Sequence, residues 1–345
     1  MNRVFINCHP NLVFMKIILV SLNGDDNSGG LERVVYYLNA ILREKYSVSI
    51  LKRERKPGKF DKLIFPLIFS LRLLFKKDAV VISNSWQSFL YPVDFSIHHG
   101  TSAGYMQNAS IRSKKTALLA WMEKISARRA KTVIAVSDNC KKELQTLYGI
   151  APDKIIVLNN FVDESLFFPK EVKKSEKITI LFSGRLEERK GISRLLELAK
   201  TVESSDKYLL KIATNSNDNR ELFANFKNTV ILSHLDINAM REFYNSGDVF
   251  YFPTRYEGFS MATLEALACG IPVIGTGFAI PEELRHYNFV HLEESADSKS
   301  ILSLIEQMKQ KFNDTRAEIH REITKDFGYE QYRQKLLQII EKEHC

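Results

Sequence analysis

Two α/β domains, each a doubly wound parallel sheet, are what this 345-residue sequence predicts. Three observations carry the prediction. Short β-branched runs alternate with amphipathic helical stretches along most of the chain. The length exceeds what one hydrophobic core usually serves. A charged, aperiodic stretch at 161–177, FVDESLFFPKEVKKSEK, interrupts the alternation midway.

In the first half, KIILVSL (16–22) reads as a strand and NGDDNSGG as a glycine-rich loop. LERVVYYLNAILREK (31–45) is then a helix and SVSIL a strand. KLIFPLIFSLRLLFKK (62–77) is an apolar helix with basic edges, and Pro66 is positioned to kink it. AVVIS and VDFSIHHG are strands, followed by helix TALLAWMEKISARRA, strand TVIAVS, helix DNCKKELQTLYG and strand IIVLNN. In the second half, strands ITILFSG, YLLKIAT, TVILS and VFYFP alternate with helices GISRLLELAKTV and NAMREFYNSG, with a polar NSNDNRELFANF between two of them. EGFSMATLEALACGIPVIGT (257–276) reads as loop, helix, stop, strand. Helix formers fill Met261–Ala268, Gly270 suits a left-handed residue past a helix end, and Pro272 cannot continue the helix. The expected division is an extension at 1–14, a first Rossmann-like domain at 15–165 and a second at 166–325. A helix at 326–345 is expected to pack back on the first domain. Met15 opens the first strand, so residues 1–14 read as an extension or the product of an upstream start codon.

Composition narrows the class. A 45% apolar and 26% charged content is that of a soluble globular protein. Four scattered cysteines, without a CxxC pair or a histidine cluster at metal spacing, point to a reducing compartment and away from a structural metal or disulfide framework. No apolar run reaches 18 residues, and MNRVFINCHPNLVF makes a poor signal peptide, so a cytoplasmic protein is expected. Residues 1–163 hold 24 Lys and Arg against 13 Asp and Glu, while the remainder holds 25 against 28. A basic first half implies an anionic partner: nucleotide, nucleic acid or membrane surface.

Several constellations can carry chemistry. FSGRLEERKG (182–191) delivers Gly184, Arg185 and Lys190 at a strand end, with Gly191 opening the next helix. A planar guanidinium and a compact ammonium both suit a diphosphate; the competing reading is a solvated loop in which they pair Glu187 and Glu188. Glu257 and Glu265 would lie about 12 Å apart on a continuous helix. Glycoside-hydrolase pairs sit at roughly 5–9.5 Å, so these two suit opposite ends of an elongated ligand. Glu265 would accept from ribose hydroxyls and Glu257 would meet a sugar. The N–H groups of Gly258, Phe259, Ser260 and Met261, at a helix amino terminus, would face phosphate. The bland alternative is an ordinary αβ unit with a surface glutamate at each end. Gly29 and Gly30 precede the first long helix as phosphate or sugar contacts, or as a plain tight turn. There is no G-x-G-x-x-G, so no nicotinamide cofactor is indicated, and no G-x-S-x-G for nucleophilic hydrolysis. His98 and His99 end a strand, where a ring can bond a sugar hydroxyl or can be structural.

Taken in order, these segments resemble the retaining glycosyltransferases of family 4, on the GT-B fold. The resemblance runs from about residue 16 to 285: GGLERVV, VIAVSDNCKKEL with GIAPDKIIVLNNFVDESLFFP, FSGRLEERKG, and EGFSMATLEALACGIPVI with its E-x7-E spacing. It implies two Rossmann-like domains facing a central cleft, a nucleotide-sugar donor (UDP-sugar favoured, GDP-sugar as the alternative), no metal and no cofactor. It further implies net retention at the anomeric carbon and a glycan or lipid-linked acceptor, as in bacterial cell-surface polysaccharide or lipopolysaccharide synthesis. Arg185 and Lys190 would stabilise the departing diphosphate, Glu257 would hold the donor sugar and Glu265 the ribose. His99 would lie near the sugar, with His98 the alternative. Gly29 and Gly30 would line the cleft, and Gly184 would border the donor. Two departures stand out. Asn84 occupies a strand end that often carries histidine in this family, and ATNSNDN (213–219) replaces a glycine loop that often borders the nucleotide.

The helices at 62–77 and 112–131 set Lys and Arg beside Leu, Phe and Trp121, which suits an anionic membrane surface. For 62–77 the favoured reading is core packing; for 112–131 both readings stand. A nucleotide-sugar epimerase, a soluble disaccharide synthase or a non-catalytic nucleotide binder are the competing functions, and no nucleic-acid-binding module is recognised.

Overall fold

Strands that read as nearly continuous apolar runs are buried on both faces, which requires parallel sheets covered by helices. The computed structural model describes residues 15–24, 30–54, 58, 60–76, 78–109, 113–172, 175–293 and 297–343. The extension at 1–14 and Gly29 lie outside the described residues.

The first unit contains β1 (Lys16–Val20), α1 (Gly30–Arg43), β2 (Ser47–Leu51), α2 (Asp61–Leu73), β3 (Ala79–Asn84), β4 (Phe95–His98), α3 (Ser102–Asn108), α4 (Lys114–Arg129), β5 (Thr132–Ala135), α5 (Asp138–Tyr148) and β6 (Ile155–Val157). Its six strands pair in the order β2-β1-β3-β4-β5-β6, every pair parallel. The order reverses between β1 and β3, so their carboxyl ends form a topological switch point, where ligands bind in such sheets.

The second unit contains β7 (Ile178–Ser183), α6 (Ile192–Glu203), β8 (Tyr208–Ala213), β9 (Thr229–Leu232), α7 (Ile237–Asn245), β10 (Val249–Phe252), α8 (Met261–Ala268), β11 (Val273–Gly275), β12 (Val290–Leu292), α9 (Ser298–Phe312) and α10 (Arg316–Phe327). Its order is β12-β11-β10-β7-β8-β9, again parallel throughout, and the switch point lies between β7 and β10. Phe182, Phe250 and Phe252 are fully buried on these two central strands.

The chain passes between the units after Leu158, ahead of the 165/166 boundary read from the sequence. The reason is packing. The Asn160 amide donates to the Phe259 carbonyl at 2.9 Å, Phe161 stacks on Tyr332 at 4.2 Å, and Val162 N donates to the Phe327 carbonyl. Helix α11 (Tyr329–Lys342) begins in the second unit, and its residues from Arg333 belong to the first, where Lys45 meets Glu341 and Glu44 meets Arg333.

Helix α2 departs from expectation. Pro66, Phe69, Ser70 and Leu73 are buried, but Leu63, Ile64, Leu67, Leu71 and the flanking Leu74 and Phe75 are exposed. The apolar surface of this helix is wider than the core it serves, so only half of it packs inward. Its period gave no warning, because apolar residues on both sides look like one buried helix.

Candidate functional site

The site of the second unit starts from two strand ends at its switch point. After β7 the chain turns through Gly184, whose φ of 153° lies outside the range that side-chain-bearing residues favour. A short 3-10 turn, Glu188–Lys190, then leads to Gly191 at φ 82°. A Cβ on Gly191 would stand 2.2 Å from the Pro253 carbonyl oxygen. Only glycine lets the β7 loop approach the β10 loop this closely. The two loops are also stitched together: the Arg189 carbonyl accepts from Arg255 N and from the Thr254 hydroxyl, both at 2.8 Å.

This approach assembles a charged cluster. Lys190 Nζ lies 2.6 Å from Glu257 Oε1 and 5.1 Å above the centre of the Phe252 ring. An Arg189 guanidinium nitrogen donates to the same oxygen at 3.2 Å, and the Thr254 hydroxyl is 3.3 Å away. All three groups meet Oε1, and none of these contacts involves Oε2. Burial alone would raise the Glu257 pKa, but Lys190 and Arg189 outweigh it and hold the carboxyl below its ordinary range. It is a fixed anion whose Oε1 is shared by three donors.

Arg185 is placed differently. It is exposed and 3.4 Å from Glu187, so the solvated-loop reading describes it better than it describes Lys190. The second cation at Glu257 is Arg189, which sequence reasoning missed. The signal was there in the ERK triplet (188–190), but alternate residues of a loop point apart unless a tight turn gathers them. Asn219, in the segment that replaces the expected glycine loop, donates its side-chain amide to the Leu186 carbonyl at 2.7 Å and braces the same loop.

Glu257 leads into α8. Ser260 caps this helix, its Oγ accepting from Thr263 N. The first amides of a helix have no partner within it, and those of Gly258, Phe259, Ser260 and Met261 stand at or before this end. Phe259 is buried, ring to ring with Phe327 at 5.6 Å. Gly270 closes the helix at φ 74°, with Gly270 N and Ile271 N satisfying the Leu267 and Ala266 carbonyls. Glu265, one turn into α8, is 4% exposed and accepts from the Tyr244 hydroxyl at 3.0 Å. The bland reading of two surface glutamates therefore fails for both. A carboxylate and a phenol bonded to one another make a natural receptor for vicinal hydroxyls.

The first unit gathers a second group at the ends of β3 and β4. His99 Nε2 lies 3.2 Å from Asn84 Oδ1, whose amide nitrogen donates to the Val20 carbonyl at 3.4 Å. That orientation makes Oδ1 the acceptor, so Nε2 carries the proton and Nδ1 keeps its lone pair. Desolvation lowers the His99 pKa to about 4, so the ring is neutral near pH 7. Asn84, to which the sequence assigned no role, is thus the group that sets the His99 tautomer. His98 is fully buried between Ser85 and Ser96, and burial together with the neighbouring His99 lowers its pKa to about 3. Glu123 and Glu143 fasten the segment that follows: Glu123 accepts from Ser102 N and Oγ and from the Tyr148 hydroxyl, and Glu143 from Thr101. Gly30 begins α1, and a Cβ there would meet nothing within 4 Å. Among the described residues, no three His, Cys, Asp or Glu side chains form a metal-binding group.

The chain has relatives. The chain matches the family described as Glycosyltransferase Family 4 over residues 28–166 and that described as Glycosyl transferases group 1 over 163–325. It is 28% identical over 221 residues to the capsular polysaccharide biosynthesis glycosyltransferase CapM of Staphylococcus aureus, a stretch covering 58% of this chain and 57% of that one. The chain spans about half the length of the first curated relatives it matches. Among solved structures, WaaG, a glycosyltransferase involved in lipopolysaccharide biosynthesis, superposes with a TM-score of 0.76 at 14% identity, over 94% of this chain and 99% of that one. HepE of Anabaena, in complex with UDP and glucose, gives 0.73 at 14%, over 95% and 100%. At such identities the likeness is one of fold, and that fold is GT-B.

Proposed function

Because the chain belongs to glycosyltransferase family 4, we propose that it moves a sugar from a nucleotide-sugar donor to a glycan or lipid-linked acceptor, with retention at the anomeric carbon. The observation that carries this reading is the Lys190–Glu257 contact, with Arg189 on the same oxygen, at the carboxyl ends of β7 and β10. A part-buried cation pair beside a fixed carboxylate can bind a diphosphate and a sugar at adjoining positions.

In the proposed reaction, the bond between the anomeric carbon and the diphosphate oxygen breaks as the acceptor hydroxyl oxygen bonds to that carbon. The hydroxyl proton passes to the departing phosphate oxygen on the same face, so no side chain is needed as a base. Lys190 and the more exposed Arg185 neutralise the charge that develops on the leaving group. Amides of Gly258, Phe259, Ser260 and Met261 add the helix terminus to that field. Within the second unit, Glu257 accepts from a donor-sugar hydroxyl and Glu265 with Tyr244 takes the ribose. Gly184 lets backbone approach the ligand in the second unit.

A UDP-sugar is the favoured donor, in keeping with the UDP and glucose bound to HepE. Cell-surface polysaccharide synthesis in the cytoplasm is the favoured setting, supported by the likeness to CapM. The reaction runs without a metal on this reading, and activity should persist in excess chelator. The deciding experiment is a thermal-shift screen with UDP, GDP, ADP and their sugars, followed by product analysis with the stabilising donor. UDP-sugars should raise Tm and yield a product of retained configuration. Stabilisation by none of them, or an inverted product, refutes the reading.

A further inference from the structure

We propose that the outer face of α2, continued by Leu90 and Trp121, docks the first unit on an anionic lipid bilayer. Leu63, Ile64, Leu67, Leu71, Leu74 and Phe75 recur every three or four residues opposite the buried Phe69 and Leu73. Their exposures run from 39% to 84%. Of the fourteen large hydrophobic residues exposed among those described, ten lie on or beside α2 and α4, so the exposure is concentrated in one region, as at an interaction site.

Neighbouring elements add exposed apolar residues beside the helix. Leu90 N donates to Ser70 Oγ of α2 at 3.3 Å, and the Phe89 ring meets Trp121 of α4 edge-on at 5.8 Å. Leu90 and Trp121 are themselves exposed.

Charge identifies the occupant. The acids of the two helices, Asp61 and Glu123, are both buried. Their exposed charges, Lys62, Arg72, Lys114, Lys115, Arg128 and Arg129, are all cationic. Beyond the helix end, exposed Asp78 follows exposed Lys76, but an apolar strip whose helices expose only cations suits the surface of a helix lying in an anionic interface. A second copy of the chain would bring the same cations face to face, which opposes association. No helix among the described residues is long and apolar enough to cross a membrane, so the contact lies on the bilayer. The docking stands or falls independently of the transfer chemistry.

The test is co-sedimentation of the full chain with vesicles of phosphatidylcholine plus phosphatidylglycerol and with vesicles of phosphatidylcholine alone. At low salt the protein should bind the anionic vesicles about tenfold or more tightly than the neutral ones, and high salt should release it. Leu67→Asp with Leu71→Asp should weaken binding about tenfold or more, and Arg72→Ala about fivefold, since each cation near the surface contributes about that factor. Leu222→Asp, on the second unit, should change nothing. Should the double variant lose its fold by circular dichroism, Phe75→Ser beyond the helix end provides the same readout. No binding to anionic vesicles at low salt, or undiminished binding by the folded variants, overturns the proposal. A solution dimer that Leu67→Asp with Leu71→Asp makes monomeric, without vesicle binding, also overturns it and assigns the face to a second copy.

Discussion

Lys190 Nζ rests 2.6 Å from Glu257 Oε1, joining a turn after one central strand to the loop after its neighbour across the switch point. The contact sets both partners. Glu257 is held anionic, and Lys190 is held over Phe252, where the proposed diphosphate would meet it. Replacing Lys190 with Ala should lower kcat at least about a hundredfold. Arg189 remains on the carboxylate, so the fold should survive. Circular dichroism and a thermal melt alongside the transfer assay separate the two effects, and wild-type turnover would remove the diphosphate role.

Arg189 and Arg185 should behave differently despite their closeness in sequence. Arg189→Ala removes a part-buried partner of Glu257 and should lower Tm as well as activity. Arg185→Ala removes an exposed group and should leave Tm unchanged while raising KM for the donor. Equal Tm losses would contradict the placement of Arg185 at the rim.

Tyr244→Phe removes the hydroxyl that bonds Glu265. A hydrogen bond to a charged group is worth about 1.5–3 kcal/mol, so a measurable stability loss is expected. Nucleotide affinity should fall several-fold in Tyr244→Phe and further in Glu265→Ala, read by calorimetric titration. Unchanged affinity in both would take the ribose away from Glu265.

Gly191→Ala should be severely destabilising, because the new methyl group would sit 2.2 Å from backbone oxygen at a positive φ. Gly30→Ala meets open space at a helix start, so its Tm should be unchanged or higher. Any loss of activity in the Gly30 variant then reports a ligand passing close to the backbone.

The buried histidines make a pH prediction. Folding depresses the His98 pKa to about 3 and the His99 pKa to about 4, from an ordinary 6.5. Between those values the unfolded chain binds protons that the folded one does not. Stability is therefore complete above about pH 6.5 and is lost progressively as pH falls toward 4. Denaturant titrations across that range should show the loss, and His98→Asn should flatten it. A profile unchanged by His98→Asn would mean the ring titrates alike in both states.

The sequence by itself determined the alternation of strands and helices, and hence two parallel sheets, because apolar period and glycine stops are local properties of the chain. It also placed the helix Met261–Ala268 with its Gly270 stop, and it singled out Lys190, Glu257 and Glu265 by type and spacing. Only the tertiary structure decided which cation reaches Glu257. Arg185 and Arg189 are alike on paper, and the close approach of Gly191 to Pro253 selects between them. It also joined Asn84 to His99 and Tyr244 to Glu265, pairs fifteen and twenty-one residues apart. It left half of an apolar helix outside the core. Such outcomes depend on which surfaces meet in space, and a hydrophobic period read along one dimension carries no record of how much of it the neighbouring elements have room to cover.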